Sequence, residues 1–327
     1  MNDKSVKIIV TGALGHLGSR LIREIPASFP GAEVVLIDDL SAQRYCSLFD
    51  LADKGNYRFV AADILAADLD ALFQGADVVV HLAAITNAAG SFEIAQQVEE
   101  VNYKGTEKVA RACARAGAAL IFPSTTSVYG TQEEKVDEDC AAESLQPQSP
   151  YAESKLKAET FLQNSEIHPG FRFVILRLGT IFGTSIGMRF HTAINKFCWQ
   201  ATLGEPLTVW RTAYNQKRPY LDLGDAVRAI NFVMSANLYD RRIYNVLTVN
   251  ATVADVVRLI SAHIPDLSIK YVDTKIMNQL SYDVANQRFI DAGFQFQGSL
   301  EKGIAETVQL LKGVRQDSLA EPSRSSA

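Results

Sequence analysis

Tyr151 and Lys155, in the run Tyr151-Ala152-Glu153-Ser154-Lys155, stand four residues apart. On a helix that spacing puts both side chains on one face, a single turn from each other. An ammonium so placed favours the ionised form of the phenol. At an effective dielectric near 20, a unit charge ~4 Å away contributes ~4 kcal/mol. At ~1.36 kcal/mol per pKa unit, a phenol of ordinary pKa ~10 falls by ~3 units, into the working range of a general base. The same spacing on an arbitrary helix is more often a solvated face. Its meaning depends on what else the chain carries.

The first line of the sequence supplies that context. Lys7-Ile8-Ile9-Val10 reads as a buried parallel strand, short, apolar and β-branched. It runs into Thr11-Gly12-Ala13-Leu14-Gly15-His16-Leu17-Gly18 and then a helical pattern from Ser19 to Ile25. Gly12 suits a tight turn, Gly15 a close backbone approach to a phosphate, and Gly18 close packing of helix on strand. The helix start, with His16 and Leu17 in it, offers free N–H groups and a partial positive charge to a pyrophosphate. A second strand, Val34-Val35-Leu36-Ile37, ends at Asp38-Asp39, with Asp38 20 residues past Gly18. A carboxylate there accepts from both adenosine ribose hydroxyls and repels a 2′-phosphate, so NAD is expected and NADP is not.

Two further strand ends repeat the pattern: Tyr57 to Val60 leads to Asp63-Ile64, and Asp77 to Val80 leads to His81-Leu82-Ala83-Ala84. Strands alternating with helices at this spacing give an α/β, doubly wound parallel sheet, with ligands at the carboxyl ends of its strands. The 327 residues suit one large or two closely joined domains, and 47% hydrophobic residues describe an ordinary core. A net charge of −5 gives no electrostatic reason to expect nucleic acid. No apolar run approaches the ~20 residues a membrane span needs, and no secretory leader is expected. Cys46, Cys113, Cys140 and Cys198 have no ligand-like spacing and read as reduced thiols of a cytoplasmic protein; the five histidines form no metal cluster.

Residues 1–180, with about 221–249, are expected to form the dinucleotide-binding domain. Residues 181–220 and 250–312 would form a smaller substrate-binding part, loop-rich between Gly179 and Leu221. Residues 313–327, with Pro322 and four serines, read as a disordered tail. Helical stretches at 93–116 and 151–164 are candidates for packing together or against a partner subunit.

Assembled, these residues resemble the extended short-chain dehydrogenase/reductase family in its NAD-dependent nucleotide-sugar epimerase/dehydratase branch, over about residues 6–312. The motifs are Thr11–Gly18, Asp38, Asp63-Ile64, His81–Ala84, Asn102-Tyr103-Lys104-Gly105-Thr106, Ser124–Gly130 and Tyr151–Lys155. The resemblance implies a Rossmann-like fold with a smaller C-terminal α/β substrate-binding part. It implies Tyr151 as the base that deprotonates a sugar hydroxyl, with Lys155 lowering its pKa and holding the nicotinamide ribose. Thr125 would hydrogen-bond the reacting oxygen. Gly12, Gly15, His16, Leu17, Gly18, Asp38, Asp39, Asp63, Ile64, Leu82, Ala83 and Ala84 would line the NAD site. Asn102, also placed at the cofactor, would hold its helix in register. A homodimer through the two helical stretches is implied by the same resemblance.

Family members share hydride abstraction, usually at C4, and differ in the fate of the oxidised sugar. Dehydratases often place Asp-Glu after the catalytic threonine, where this chain has Thr126 and Ser127. Neither can act as a carboxylate acid or base, so a 4-epimerase working through a 4-keto intermediate is expected. An NAD-dependent dehydrogenase or ketoreductase on a (nucleotide-)sugar needs the same residues, and a non-catalytic dinucleotide sensor would need none of them. On the substrate side, Arg177 to Gly183 resembles the family's LRxxNVYG with Thr180 for asparagine, and Gln216 to Asp225 resembles its QxRDFVxVxD. Arg218 is thus expected on the diphosphate, with Arg211 second and Thr86, Ser124 and Thr180 beside the sugar. The segment after Ala84 lacks the lysine of the UDP-galactose epimerases, and an Arg-x-Gly-Asp is missing before Tyr282-Asp283, where Lys275 is a candidate substitute.

Overall fold

A computed structural model describes residues 5–132, 135–164, 167–273 and 282–313. Lys275 and the expected tail beyond Gly313 lie outside the described residues. In chain order the strands are β1 (Lys7–Thr11), β2 (Glu33–Asp38), β3 (Asn56–Ala61), β4 (Val78–His81), β5 (Ala119–Thr125) and β6 (Phe173–Leu178). After these come β7 (Thr180–Phe182), β8 (Leu207–Trp210), β9 (Lys217–Asp222), β10 (Asp240–Val246), β11 (Val249–Thr252) and β12 (Ile269–Val272).

Seven of them form one sheet in the order β10-β6-β5-β4-β1-β2-β3, and every neighbouring pair is parallel. Parallel strands covered by helices are apolar on both faces, which is why β4 and β5 are buried throughout. Alternation divides each strand between two cores. Ile8, Val10, Val34 and Leu36 pack with the helices His16–Ser28 and Leu223–Ser235, while Ile9, Val35 and Ile37 pack with Gly105–Ala116 and Pro150–Asn164. The order reverses at the β1/β4 boundary, and a crevice opens there at the carboxyl ends.

β10, within the 221–249 stretch assigned to the dinucleotide-binding domain, pairs with β6 at the sheet edge through Ile243–Val246. The two candidate helical stretches pack on each other, with Lys157 paired to Glu99 at 2.8 Å and the Tyr103 and Phe161 rings 6.4 Å apart. Glu99–Lys104 is wound as a π-helix. Such a bulge inserts one extra residue and often marks a functional site.

The region expected to be loop-rich holds β7, the helix Ala193–Thr202, β8 and the start of β9. Its short elements escape periodicity, because four-residue strands carry too little pattern. They form the small sheets β11-β9-β7 and β12-β8. A separate core of Phe182, Ile194, Phe197, Tyr220, Val256 and Ile304 joins these sheets to the helices Val253–Ser261 and Leu300–Leu311.

Candidate functional site

A cavity of about 1030 Å³ runs from the glycine loop across the ends of β1, β2, β4 and β5 to β8 and β9. Its cofactor end is shaped by backbone. Gly12 has φ +64°, and a Cβ there would lie 2.6 Å from Ala83 N; a Cβ on Gly18 would lie 2.6 Å from the carbonyl oxygens of Gly12 and Ala13. Both positions therefore exclude any side chain. A Cβ on Gly15 would meet Gly12 O at 3.3 Å and otherwise only the end of Arg44, and Gly15 lines the cavity. Gly15 also caps the helix His16–Ser28 without a side-chain acceptor. The first N–H groups of that helix are thus left for an anion.

Asp38 accepts from Leu14 N and Leu40 N, each at 3.0 Å, which fixes its carboxylate at the end of β2. Asp39 accepts from Ser41, and Asp63 accepts from Leu65 N at 2.8 Å. These three, with His16, Leu17, Ile64, Leu82, Ala83 and Ala84, line the same cavity. The fit to a dinucleotide is good: a helix start for the pyrophosphate, an acid at the second strand end for a ribose, and apolar walls between. Asn102 departs from the expectation. It does not line the cavity; its amide exchanges hydrogen bonds with Ile85 N (2.8 Å) and O (2.9 Å) and donates to Ser154 Oγ at 3.2 Å. These bonds tie the π-wound turn to the loop after β4.

His81 is buried between the hydroxyls of Thr11 (2.8 Å) and Thr106 (3.2 Å), and burial, with a smaller effect from Lys155, depresses its pKa to about 3. His16 joins Ser185 Oγ through Nδ1 at 2.9 Å, while its Nε2 is buried without a partner. Burial first, and the positive field of Arg189 second, hold the His16 ring neutral with a pKa of about 3.

Thr125 ends β5, and Tyr151 stands in the first turn of the helix Pro150–Asn164. Ser149 Oγ accepts from Ala152 N at 3.2 Å to cap that turn, and Pro150 suits the first helical position. Tyr151 and Thr125 both line the cavity. Burial pushes the pKa of the Tyr151 phenol up, and the Arg189 charge, then the Thr125 side chain, pull it back. Lys155 Nζ donates to Pro123 O at 2.9 Å and lies 4.6 Å from the Phe122 ring centroid. Helical spacing places the two residues on one face, but the carbonyl at the end of β5 draws the ammonium inward. Burial lowers its pKa to about 8, with Glu159 opposing.

Behind this group, Glu159 and Arg177 are paired at 2.6 Å with side chains 1% and 3% exposed. Ser124 donates its hydroxyl to Glu159, so this residue, expected at the sugar, anchors the strand end although it lines the cavity.

The substrate end is built from side chains on short strands and the loops beside them. Thr86, Thr180 and Arg218 line the cavity as expected, and Arg218 Nε and Nη2 are buried without a partner. Arg211 does not line it; it is exposed, 3.7 Å from Asp273 and over the Tyr271 ring. Sequence reasoning missed Arg44, Arg189, His191 and Tyr282 as site residues, all in the lining, which Ser127 joins. Arg44 was findable, six residues past Asp38 in the same strand-end loop. Arg189 carried no motif, yet it donates to Thr86 Oγ1 and brings a cation to the segment that lacks the expected lysine. Among the described residues there is no metal-binding cluster, and no helix is long and apolar enough to cross a membrane.

Residues 8–246 match the NAD dependent epimerase/dehydratase family. The chain is 32% identical over 238 residues to an uncharacterized UDP-glucose epimerase of Bacillus subtilis, covering 70% of this chain and 72% of that protein. It is 28% identical over 317 residues to an Arabidopsis thaliana trifunctional UDP-glucose 4,6-dehydratase/UDP-4-keto-6-deoxy-D-glucose 3,5-epimerase/UDP-4-keto-L-rhamnose-reductase, covering 92% of this chain but 46% of the plant protein. It thus spans about half the length of that relative. Bacillus cereus UDP-glucuronic acid 4-epimerase, solved with UDP-glucuronic acid and NAD, superposes with a TM-score of 0.81 at 25% identity over 94% of this chain and 99% of that one. The match along most of the chain, on a seven-stranded parallel sheet with its cavity at the switch point, shows that this protein belongs to the NAD-dependent epimerase/dehydratase family of extended short-chain dehydrogenase/reductase enzymes.

Proposed function

We propose that this enzyme is an NAD-dependent nucleotide-sugar 4-epimerase. The observation that carries the reading is the meeting of Thr125, at the end of β5, and Tyr151, at a helix start, in the lining of the dinucleotide cleft, with Thr126 and Ser127 following Thr125 in place of carboxylates. Tyr151 takes the proton of the C4 hydroxyl, and Thr125 holds that oxygen in line. NAD, when bound along the glycine loop, supplies the acceptor and later the donor of the C4 hydride. The 4-keto sugar then presents its other face, and Tyr151 returns the proton. Thr126 and Ser127, standing where dehydratases often carry Asp-Glu, support epimerisation over loss of water. An epimerase is also the description carried by the Bacillus subtilis relative and the Bacillus cereus structure.

Arg218, with its two unpartnered nitrogens, is the diphosphate residue in this reading, because a guanidinium fork matches phosphate oxygens. Residues 181–220 and 250–312 would carry the substrate part. The test is the nucleotide content of the purified protein. Stoichiometric NAD(H) released only on unfolding fits a cofactor recycled in place. An empty site binding NAD weakly and reversibly fits a dehydrogenase that exchanges it each turnover, and would count against the epimerase.

A further inference from the structure

The loop after β2 hangs from one residue of the glycine loop by both of its ends. Asp38 accepts from Leu14 N at 3.0 Å, and further along the buried Ser47 donates its hydroxyl to Leu14 O at 2.9 Å. Inside the loop Gln43 N donates to Leu40 O at 2.9 Å and Ser47 N to Arg44 O at 3.0 Å, so Arg44 opens the short helical turn Tyr45–Leu48. With both ends fixed, the Arg44 side chain is held at the glycine loop. Its Nη1 would lie 3.8 Å from a Cβ built on Gly15, and both residues line the cavity.

That guanidinium has no acid to balance it. Both Asp38 oxygens are taken by backbone N–H groups, those of Leu14 and Leu40, and no carboxylate among the described residues is ion-paired with Arg44. A second cation, Arg189, also lines the cavity, on a loop tied to the helix His16–Ser28 by Gly187 N on Ser19 Oγ at 3.0 Å. Asn195 Nδ2 donates to Arg189 O at 3.1 Å and steadies the same loop. Burial, then Arg189, then Arg44 hold the His16 and His191 rings neutral, with pKa values of about 3 and about 4. Two guanidinium groups and the free N–H groups of a helix start thus line one cavity with the same sign of field.

An arginine beside a dinucleotide site can serve a 2′-phosphate or the pyrophosphate, and its position decides between them. A 2′-phosphate would sit at the end of β2 and meet the Asp38 carboxylate. Gly15 stands instead at the helix start, where a pyrophosphate binds, and having no side chain it leaves its face of the loop open to Arg44. A planar guanidinium fork matches two phosphate oxygens at once. We propose that Arg44 is a cofactor-binding residue that grips the NAD pyrophosphate over Gly15, adding a side chain to a site otherwise made of backbone. This assignment holds whichever reaction follows hydride transfer.

The test is calorimetric titration of wild-type and Arg44→Gln protein, both freed of nucleotide with charcoal, with NAD, NADP, ADP-ribose and adenosine. Charge-assisted hydrogen bonds predict that Arg44→Gln binds NAD and ADP-ribose about 10- to 100-fold more weakly. Adenosine, which has the base and ribose but no phosphate, should bind both proteins alike. Arg44→Lys, which keeps the charge without the fork, should recover part of the loss. The affinity for ADP-ribose should also fall more steeply with salt in the wild type than in Arg44→Gln. Unchanged binding of ADP-ribose by Arg44→Gln would overturn the assignment. So would equal losses for ADP-ribose and adenosine, the mark of a collapsed loop. A loss confined to NADP would put Arg44 on a 2′-phosphate and overturn it as well.

Discussion

The two ends of one cavity are built by different means. At the cofactor end the contacts come from backbone: a helix start capped by Gly15, strand ends at Asp38 and Asp63, and a turn in which Gly12 and Gly18 have no room for a side chain. At the substrate end they come from long side chains, Arg189 on a loop and Arg218 on β9. Arg189 and Arg218 reach in with nitrogens that no protein group satisfies. A backbone site is specific to a ligand shape that the fold itself defines. A side-chain site is tuned to charge and can be retargeted by one substitution. Between the two ends stand Thr125 and Tyr151, which belong to neither.

The largest effect is expected at that boundary. Tyr151→Phe removes the proton acceptor and should lower turnover by about 10²- to 10⁴-fold. Bound NAD should stay near wild-type content, measured on the same preparation. Comparable loss of NAD would mean that the phenol belongs to the cofactor end. Next comes Glu159→Ala, which leaves Arg177 buried without its partner and should destabilise the fold by about 3–5 kcal/mol in urea unfolding. A change below ~1 kcal/mol would show that the pair is not closed from water as its geometry indicates.

At the cofactor end, Asp38→Ala should weaken NAD binding by roughly 10- to 100-fold, the scale of hydrogen bonds to a charged acceptor. The two backbone hydrogen bonds it makes with Leu14 and Leu40 would be lost too, so thermal stability is measured alongside. Unchanged affinity would remove Asp38 from the ribose.

The smallest effect is a slope. His81, with a pKa of about 3, refuses protons that the unfolded chain, near 6.5, accepts. Between those values the unfolded state binds more protons, so stability rises with pH and is lost as pH falls below about 6.5. His81→Gln should flatten the fall in urea midpoint between pH 7 and pH 5, and an unchanged slope would remove His81 from this account.

This contrast also explains what the sequence made legible. The glycine loop, Asp38 and the alternation of strands and helices were readable because the backbone-built end demands fixed residue types at fixed spacing. Tyr151 and Thr125 were readable for the same reason, lying at a helix start and a strand end. Lys155 shows the limit: the spacing gives a shared face, but not that Pro123 O captures the ammonium. Asn102 shows another, because a π-wound turn shifts its direction by one residue and leaves no periodic trace. Arg189 was illegible, since its place depends on three tertiary contacts of an irregular loop, and Arg211 in similar surroundings turns to solvent.

The most direct test of the epimerase assignment uses a UDP-hexose deuterated at C4, offered as both the glucuronate and the glucose derivative to NAD-loaded protein. Return of the hydride to the carbon it left predicts a 4-epimer that keeps its deuterium, with no net change in NADH absorbance. Accumulation of NADH together with a released 4-keto sugar, or loss of water to a 4-keto-6-deoxy product, would contradict the assignment.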